Sequence, residues 1–235
     1  MTYPIKGFNP NTFIDWEGKL ACVIYLPGCN FHCPFCHSSS LIFDSYKLPN
    51  VPLEHIEQFL KSKKGWIDSV VIGGGEPTLH NDLPQLIQEL KRFPVSIKLD
   101  TNGTNPGMLR RLIADGLVDY VAMDVKAPLH TEKYEQVVAQ QVDISRIKES
   151  IAILLTGGVD YEFRTTVVPG LLTRGDVINI ARDLNGAKRY ILQQFNPKDI
   201  LDKELVKLKP YPAEELKKCA ELVREFVKSS SVRGI

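Results

Sequence analysis

From about residue 20 onward the chain alternates between two hydrophobic patterns. Short, nearly continuous apolar runs, rich in Val and Ile, recur at 20–26, 67–72, 95–99, 120–123, 161–168 and 189–194. Most are bounded by Gly, Pro, Asn or Asp, and their length fits strands covered on both faces. Between them, apolar residues return every three or four positions, which predicts helices near 53–62, 83–92, 106–115, 145–156, 174–184 and 213–228. In the second of these, Leu83, Leu86, Ile87 and Leu90 fall on one stripe, with Asn81 or Asp82 placed to cap its start. Leu216, Cys219, Leu222, Val223 and Phe226 repeat the pattern in the last. Strand–helix units joined by right-handed crossovers predict a parallel, curved sheet of the α/β class. Six such units fall short of a closed eight-stranded barrel, so the expected architecture is a partial (β/α)6 barrel. It forms a single domain over residues 1–235, with a lead-in at 1–19 and a frayed, flexible tail at 229–235.

Composition changes this picture little, but it excludes some functions. The 29 basic and 28 acidic residues leave a formal charge of +1, so no global field draws nucleic acid or an anionic membrane. Lys61, Lys63 and Lys64, and the pair Arg110-Arg111, read as solvated helix ends and faces. The first residues lack a charged start followed by an apolar stretch, so no secretory signal is expected. No apolar run nears the roughly 18 residues that span a bilayer, and the expected location is the cytoplasm. Five cysteines, three of them clustered, argue for metal or redox chemistry over a disulfide framework. Cys22, in an apolar strand, and Cys219, on a helix, read as small core residues.

The clustered cysteines lie in Cys29-Asn-Phe-His-Cys33-Pro-Phe-Cys36, directly after the first strand. This C-x3-C-x2-C spacing lets one loop point three thiolates at a common centre. Structural zinc or an electron-transfer iron–sulfur cluster normally takes four ligands. A four-iron cluster on three thiolates leaves one iron open to a small molecule. Zinc with His32 or His37 as fourth ligand is the alternative, though a quartet confined to nine residues is cramped beside the usual two separated pairs.

Further unusual groups fall at later strand ends, where a parallel barrel gathers its function. The second strand ends in Gly73-Gly74-Gly75-Glu76-Pro77, which combines close backbone approach with a charged acceptor. The third runs into Asp100-Thr101-Asn102-Gly103 and the fourth ends in Met123-Asp124-Val125-Lys126. The fifth carries Arg164 in Phe163-Arg164-Thr165-Thr166-Val167-Val168-Pro169-Gly170, a guanidinium able to fork onto a carboxylate. Each group taken alone has an ordinary reading as a turn, a cap or a salt bridge.

At the cysteine loop the chain resembles the radical S-adenosylmethionine (radical SAM) superfamily. Its signature is C-x3-C-x-φ-C with an aromatic φ, here Phe35. The resemblance implies a [4Fe–4S] cluster on Cys29, Cys33 and Cys36. Its open iron would chelate the amino and carboxylate groups of S-adenosylmethionine, with Phe35 packed near the adenine. Gly74, Gly75 and Glu76 resemble the G-G-E-P motif that holds the cofactor's amino group. The pair D-T-N-G and D-x-K is similar to the glycyl-radical-enzyme activases. It implies that Asp100, Thr101 and Asp124 surround a monovalent cation, with Lys126 in the same pocket. Hard oxygen ligands suit such a cation. The stretch around Arg164 resembles an activase segment that contacts the cofactor's carboxylate. At Leu192-Gln193-Gln194-Phe195 the chain departs from the activase pattern, which has a histidine there, and the resemblance gives Gln193 and Gln194 no role.

The subgroup most similar is the activating protein of anaerobic (class III) ribonucleoside-triphosphate reductase. That likeness rests on Ile5-Lys6-Gly7-Phe8, Phe13-Ile14-Asp15-Trp16 and Pro27-Gly28-Cys29-Asn30, with Ser38 after Cys36-His37 where Asn is usual. Asp15 either faces the partner's loop or is a turn residue. The resemblance implies an enzyme that reductively cleaves S-adenosylmethionine at one cluster and takes a hydrogen atom from a backbone glycine of a partner glycyl radical enzyme. It further implies flavodoxin or ferredoxin as electron donor. Two rival readings stand beside it. One is a radical SAM enzyme acting on a small molecule, similar to the short 7-carboxy-7-deazaguanine synthases. The other is a non-catalytic iron–sulfur or zinc protein, which leaves Gly-Gly-Glu-Pro, Asp100 and Arg164 unexplained.

Overall fold

A computed structural model describes residues 3–235. Its eight strands are β1 (Gly7–Thr12), β2 (Ala21–Leu26), β3 (Ser69–Gly74), β4 (Ser96–Thr101), β5 (Tyr120–Asp124), β6 (Asp160–Val167), β7 (Tyr190–Gln194) and β8 (Ser230–Arg233). They form one sheet in the order of the sequence. β1 runs antiparallel to β2, and every later pair is parallel. The helices are α1 (Ser39–Phe43), α2 (Leu53–Ser62), α3 (Leu83–Leu90), α4 (Pro106–Ala114), α5 (Thr131–Val138), α6 (Ile144–Thr156), α7 (Arg174–Asp183) and α8 (Ala213–Leu222). The six predicted strands appear as β2 to β7, and the six predicted helices as α2, α3, α4, α6, α7 and α8. The result is a curved parallel sheet of partial-barrel type. No helix among the described residues is long and apolar enough to cross a membrane.

Alternation along the strands sorts the two faces. Cys22, Ile24 and Leu26 of β2 join the main core on the helix-covered face, which also takes Cys219 of α8. Ala21, Val23 and Val71 pack on the concave face with Trp16 and Tyr25. In β4 to β6 the same concave positions carry charge: Lys98, Asp100, Asp124, Glu162 and Arg164. The barrel interior is therefore apolar beneath the first strands and ionic across the middle ones.

Four expectations need correction. The tail predicted to fray at 229–235 instead contains β8, paired with β7 in the register Tyr190↔Ser230 to Gln193↔Arg233. Its anchor is ionic, so no apolar pattern announces it: Arg233 donates to both oxygens of the buried Glu162 at 2.6 and 2.8 Å. The lead-in at 1–19 contains β1, an edge strand where Pro10 is tolerated beside a register shift. Asp82 occupies the N-cap of α3 without a side-chain capping bond. The last helical stretch stops as α-helix at Leu222 and tightens into a 3-10 turn at Val223–Glu225.

After β1 the chain turns under the sheet and closes the barrel floor. Trp16 packs on Tyr120 with ring centroids 5.5 Å apart, and Lys98 donates its Nζ to the Asp15 carbonyl. The sheet itself stays open between its edges β1 and β8. Glu17 and Arg233 face each other across that opening at 3.4 Å.

Candidate active site

At the C-terminal ends of β2 to β7 lies a cavity of about 430 Å3, a size suited to a small organic cofactor. All twelve residues singled out from sequence line it: the three cysteines, Phe35, Gly74, Gly75, Glu76, Asp100, Thr101, Asp124, Lys126 and Arg164. The topology accounts for the convergence, because each motif follows a parallel strand and such strands all end on the same side.

The cysteine loop leaves β2 and returns through α1. Its sulfurs already accept weak hydrogen bonds. The Phe31 N–H donates to Cys29 Sγ at 3.4 Å, Asn102 Nδ2 to the same sulfur at 3.8 Å, and the Ser38 N–H to Cys36 Sγ at 3.3 Å. Burial pushes the Cys29 thiol up to about 11 and the Cys33 thiol up to about 12, so the free side chains are protonated at neutral pH. Lys126 opposes the shift at both cysteines, and its Nζ sits 6.0 Å over the Phe35 ring. Three thiols with N–H donors aimed at two of them and a lysine nearby are a donor set suited to an anionic iron–sulfur cluster. The two local histidines are engaged elsewhere. His32 Nδ1 pairs with Gln140 Nε2 at 2.6 Å, and His37 Nε2 with the Asn196 carbonyl at 3.1 Å. Among the described residues no three His, Cys, Asp or Glu side chains converge on a single-ion site.

The glycine motif has a positioning task that its sequence does not reveal. The Gly75 N–H donates to the Leu26 carbonyl at 2.9 Å and the Glu76 N–H to the Gly28 carbonyl at 2.7 Å, which sews the end of β3 to the root of the cysteine loop. A Cβ on Gly75 would lie 1.8 Å from the Gly28 oxygen. One on Gly74, whose φ is +120°, would lie 2.3 Å from the Leu26 oxygen.

Glu76 is almost wholly buried and its carboxylate accepts four hydrogen bonds from within the protein. Oε1 accepts from the Thr78 N–H at 3.1 Å, the Thr78 hydroxyl at 2.6 Å and the Thr101 hydroxyl at 2.7 Å; Oε2 accepts from the Asn102 N–H at 2.6 Å. Burial pushes its pKa up against these four donors. Glu76 thus ties the end of β3 to the end of β4.

Beside it runs a chain of alternating charges. Arg164 donates from Nε and Nη2 to the two Asp124 oxygens, both at 3.2 Å, and from Nη1 to Asp100 Oδ2 at 3.1 Å. Lys126 Nζ lies 3.3 Å from Asp124 Oδ2. Asp100 Oδ1 lies 3.2 Å from Lys98 Nζ, an ion pair without hydrogen-bond alignment, and that buried oxygen has no other donor among the described residues. Burial alone would raise the Asp124 pKa, but Arg164 and Lys126 outweigh it and hold the carboxyl below its usual range. Of the three residues expected around a monovalent cation, Asp100 and Asp124 come together on the Arg164 guanidinium. Thr101 turns away to Glu76.

Sequence reasoning missed Lys98 and Asn102. Lys98 is 1% exposed and braces both Asp100 and the barrel floor. Asn102 joins the cysteine loop to β4 through Cys29 and through Asn30 Oδ1 at 2.9 Å. The available signal was a charge inside the apolar run Ser96-Ile97-Lys98-Leu99, in step with Asp100.

The profile described as the Radical SAM superfamily matches residues 23–184. The chain belongs to the radical SAM superfamily. It is accordingly a radical SAM enzyme, of a family whose cofactors are a [4Fe–4S] cluster and S-adenosylmethionine. A protein of Methanocaldococcus jannaschii, provisionally named a glycyl-radical enzyme activating enzyme, is 34% identical over 98% of this chain and 96% of its own length. A provisionally named GTP 3′,8-cyclase of Methanococcus aeolicus is 28% identical over 91% of this chain and 72% of its own. Proteins named 7-carboxy-7-deazaguanine synthase are also among the relatives. Among solved structures, Streptococcus suis SuiB bound to S-adenosylmethionine superposes with a TM-score of 0.68 at 15% identity, a likeness of fold. It covers 90% of this chain, which spans about half of SuiB, 52%.

Proposed function

We propose that the protein is a glycyl-radical-enzyme activase, and that anaerobic ribonucleoside-triphosphate reductase is its partner. One observation carries the radical reading: three thiols from a single loop face the same cavity as the ends of five further strands. The activase assignment draws on the near full-length relationship to the M. jannaschii protein. It also draws on the strand order, in which β1 and β8 are left unpaired with each other and the barrel is not closed by hydrogen bonds.

In this reading Cys29, Cys33 and Cys36 would hold the [4Fe–4S] cluster, leaving it open to S-adenosylmethionine in the same cavity. Gly74 and Gly75 offer backbone to the amino end. Glu76 acts by fixing that turn, since its carboxylate is already committed to four donors. Phe35 packs near the adenine, and Lys126 and Arg164 answer the cofactor's carboxylate. The lining carries four carboxylates, Asp15, Glu76, Asp100 and Asp124, against the two cations Lys126 and Arg164. That excess suits a cofactor whose sulfonium and ammonium outweigh its one carboxylate. If Arg164 turns to the cofactor, Asp100 and Asp124 are released to hold a monovalent cation. When bound and reduced, the cofactors supply hydrogen-atom abstraction. A glycine suits such a reaction, because it has no side chain to bar its entry. Flavodoxin or ferredoxin supplies the electron, and the enzyme works in the cytoplasm.

The test begins with anaerobic reconstitution with iron and sulfide, reduction, and measurement of 5′-deoxyadenosine from S-adenosylmethionine. Absence of cleavage in a sample with a full four-iron cluster would sink the reading. Cleavage followed by an organic glycyl signal in electron paramagnetic resonance, on mixing with the reductase, is the expected result. A second reading, a small-molecule radical enzyme, is favoured by the GTP 3′,8-cyclase and deazaguanine synthase relatives. Cleavage without a glycyl signal on any glycyl radical enzyme of the organism would select it.

A further inference from the structure

The cavity wall is divided in its hydrogen bonding. Over most of it the polar groups bind one another: Glu76 to Thr101, Arg164 to Asp100 and Asp124, Lys126 to Asp124, and Gln194 to the Tyr211 carbonyl. At one cross-strand pair of β6 and β7 this stops. Thr166 and Gln193 sit directly opposite each other in the parallel register, both line the cavity, and both are half-buried. Neither the Thr166 hydroxyl nor the Gln193 amide makes a hydrogen bond among the described residues. Next to them in register, Arg233 of β8 is taken up by Glu162 and Glu17.

We infer that Gln193 and Thr166 form the recognition site for the hydrogen donor, and that this donor is a peptide backbone. The inference rests on the activase reading and names the residues that would select its substrate. A primary amide presents a donor and an acceptor side by side, and a hydroxyl adds a second of either kind. A peptide group presents the complementary N–H and C=O. The patch is neutral, and the lining around it holds twice as many carboxylates as cations. Both cations are committed, to Asp124 and Asp100 in the free protein and to the cofactor's carboxylate in the proposed function. A nucleoside triphosphate would therefore meet no free countercharge in the cavity, whereas an uncharged peptide segment loses little on entering it. Half-buried polar groups with no partner in the protein favour a substrate that pairs them as it displaces their solvent, and disfavour one that does not.

The probe is an alanine heptapeptide with one central glycine dideuterated at Cα, given to the cluster-loaded enzyme with S-adenosylmethionine and dithionite. One deuterium atom leaves the glycine Cα and forms a new C–D bond in 5′-deoxyadenosine; the unpaired electron stays on the peptide. The readout is deuterium incorporated per 5′-deoxyadenosine formed, which is independent of how much enzyme is correctly folded and loaded. We expect transfer by the wild-type protein. In Gln193→Leu the half-saturating peptide concentration should rise at least tenfold and the ratio should fall. Thr166→Val should move both the same way by about threefold. If the ratio and its peptide dependence stay at wild-type values in both variants, the inference is overturned and the activase reading stands. If the wild-type protein makes 5′-deoxyadenosine but takes no deuterium from the peptide, the activase reading fails and the inference fails with it.

Discussion

Arg164 illustrates how much one side chain settles in this site. It stands on the concave face of β6, one strand from Asp124 and two from Asp100, and its guanidinium joins the two carboxylates. Removing it leaves like charges facing each other in a buried setting, a loss of about 3–5 kcal/mol for a broken buried pair. The sign with pH follows from Asp124. Its lowered pKa means that its stabilising contribution is present above the ordinary carboxylate range and is lost as pH falls through the folded value. In Arg164→Met burial is no longer offset by the guanidinium, the folded pKa moves upward, and the ionised form now costs stability. Urea unfolding should find the variant much weaker than wild type at pH 7 and the gap narrower at pH 5. A gap that widens on acidification would refute this account. Asp100 and Asp124 were legible in sequence because each ends an apolar run, where a parallel barrel works; Arg164, inside its strand, was read through the resemblance of the stretch around it. Lys98 was not, since a single charge inside a strand gives no hint of its partners until the strands are placed side by side.

At the scale of elements, β8 is the clearest lesson. β2, β3 and β5 were legible because burial on both faces writes near-continuous apolar residues into the sequence, and β4, β6 and β7 because their helix-facing positions stay apolar between turn residues. β8 reads Ser-Ser-Val-Arg and is held by edge pairing and by one arginine, neither of which leaves a hydrophobic period. α5 escaped for a related reason: its apolar content is the compact group Tyr134, Val137 and Val138, too short a stripe to stand out. The Arg233–Glu162 pair makes a direct test. Burial would raise the Glu162 pKa, but Arg233, with Arg164 and Lys98 behind it, outweighs that and holds the carboxyl below its usual range. Arg233→Met should cost about 3 kcal/mol in denaturant unfolding, by stranding a buried carboxylate. Adding Glu162→Leu should recover part of the loss, because it removes the stranded carboxylate while the Tyr120 hydroxyl loses its acceptor there. A double variant as weak as the sum of its parts would show that the pair is not the anchor of β8. The glycine run at Gly74 and Gly75 was read from sequence as a tight turn or a ligand contact; its further task, joining β3 to the cysteine loop, depends on a backbone approach that no spacing rule encodes.

For the molecule as a whole, the site draws its lining from Asp15 to Gln194, so filling it should stiffen the fold globally. S-adenosylmethionine at about 100 times its dissociation constant should add about 2.7 kcal/mol to the unfolding free energy of the cluster-loaded protein. The same addition to a Cys29→Ala variant should give no such shift; an equal gain there would mean that the cofactor is held without the cluster. The order of the strands has a different outcome, one of timing. Each strand finds its partner in the strand just before it in the chain, and the Glu17–Arg233 ion pair joins the two ends of the described sequence across the outer edges. Such a sheet can grow one strand–helix unit at a time as the chain emerges during synthesis, with no strand waiting for a distant mate. The cavity lining is complete with β7, before β8 has been made. The last strand is then a lock set on a finished chamber, not a wall of it.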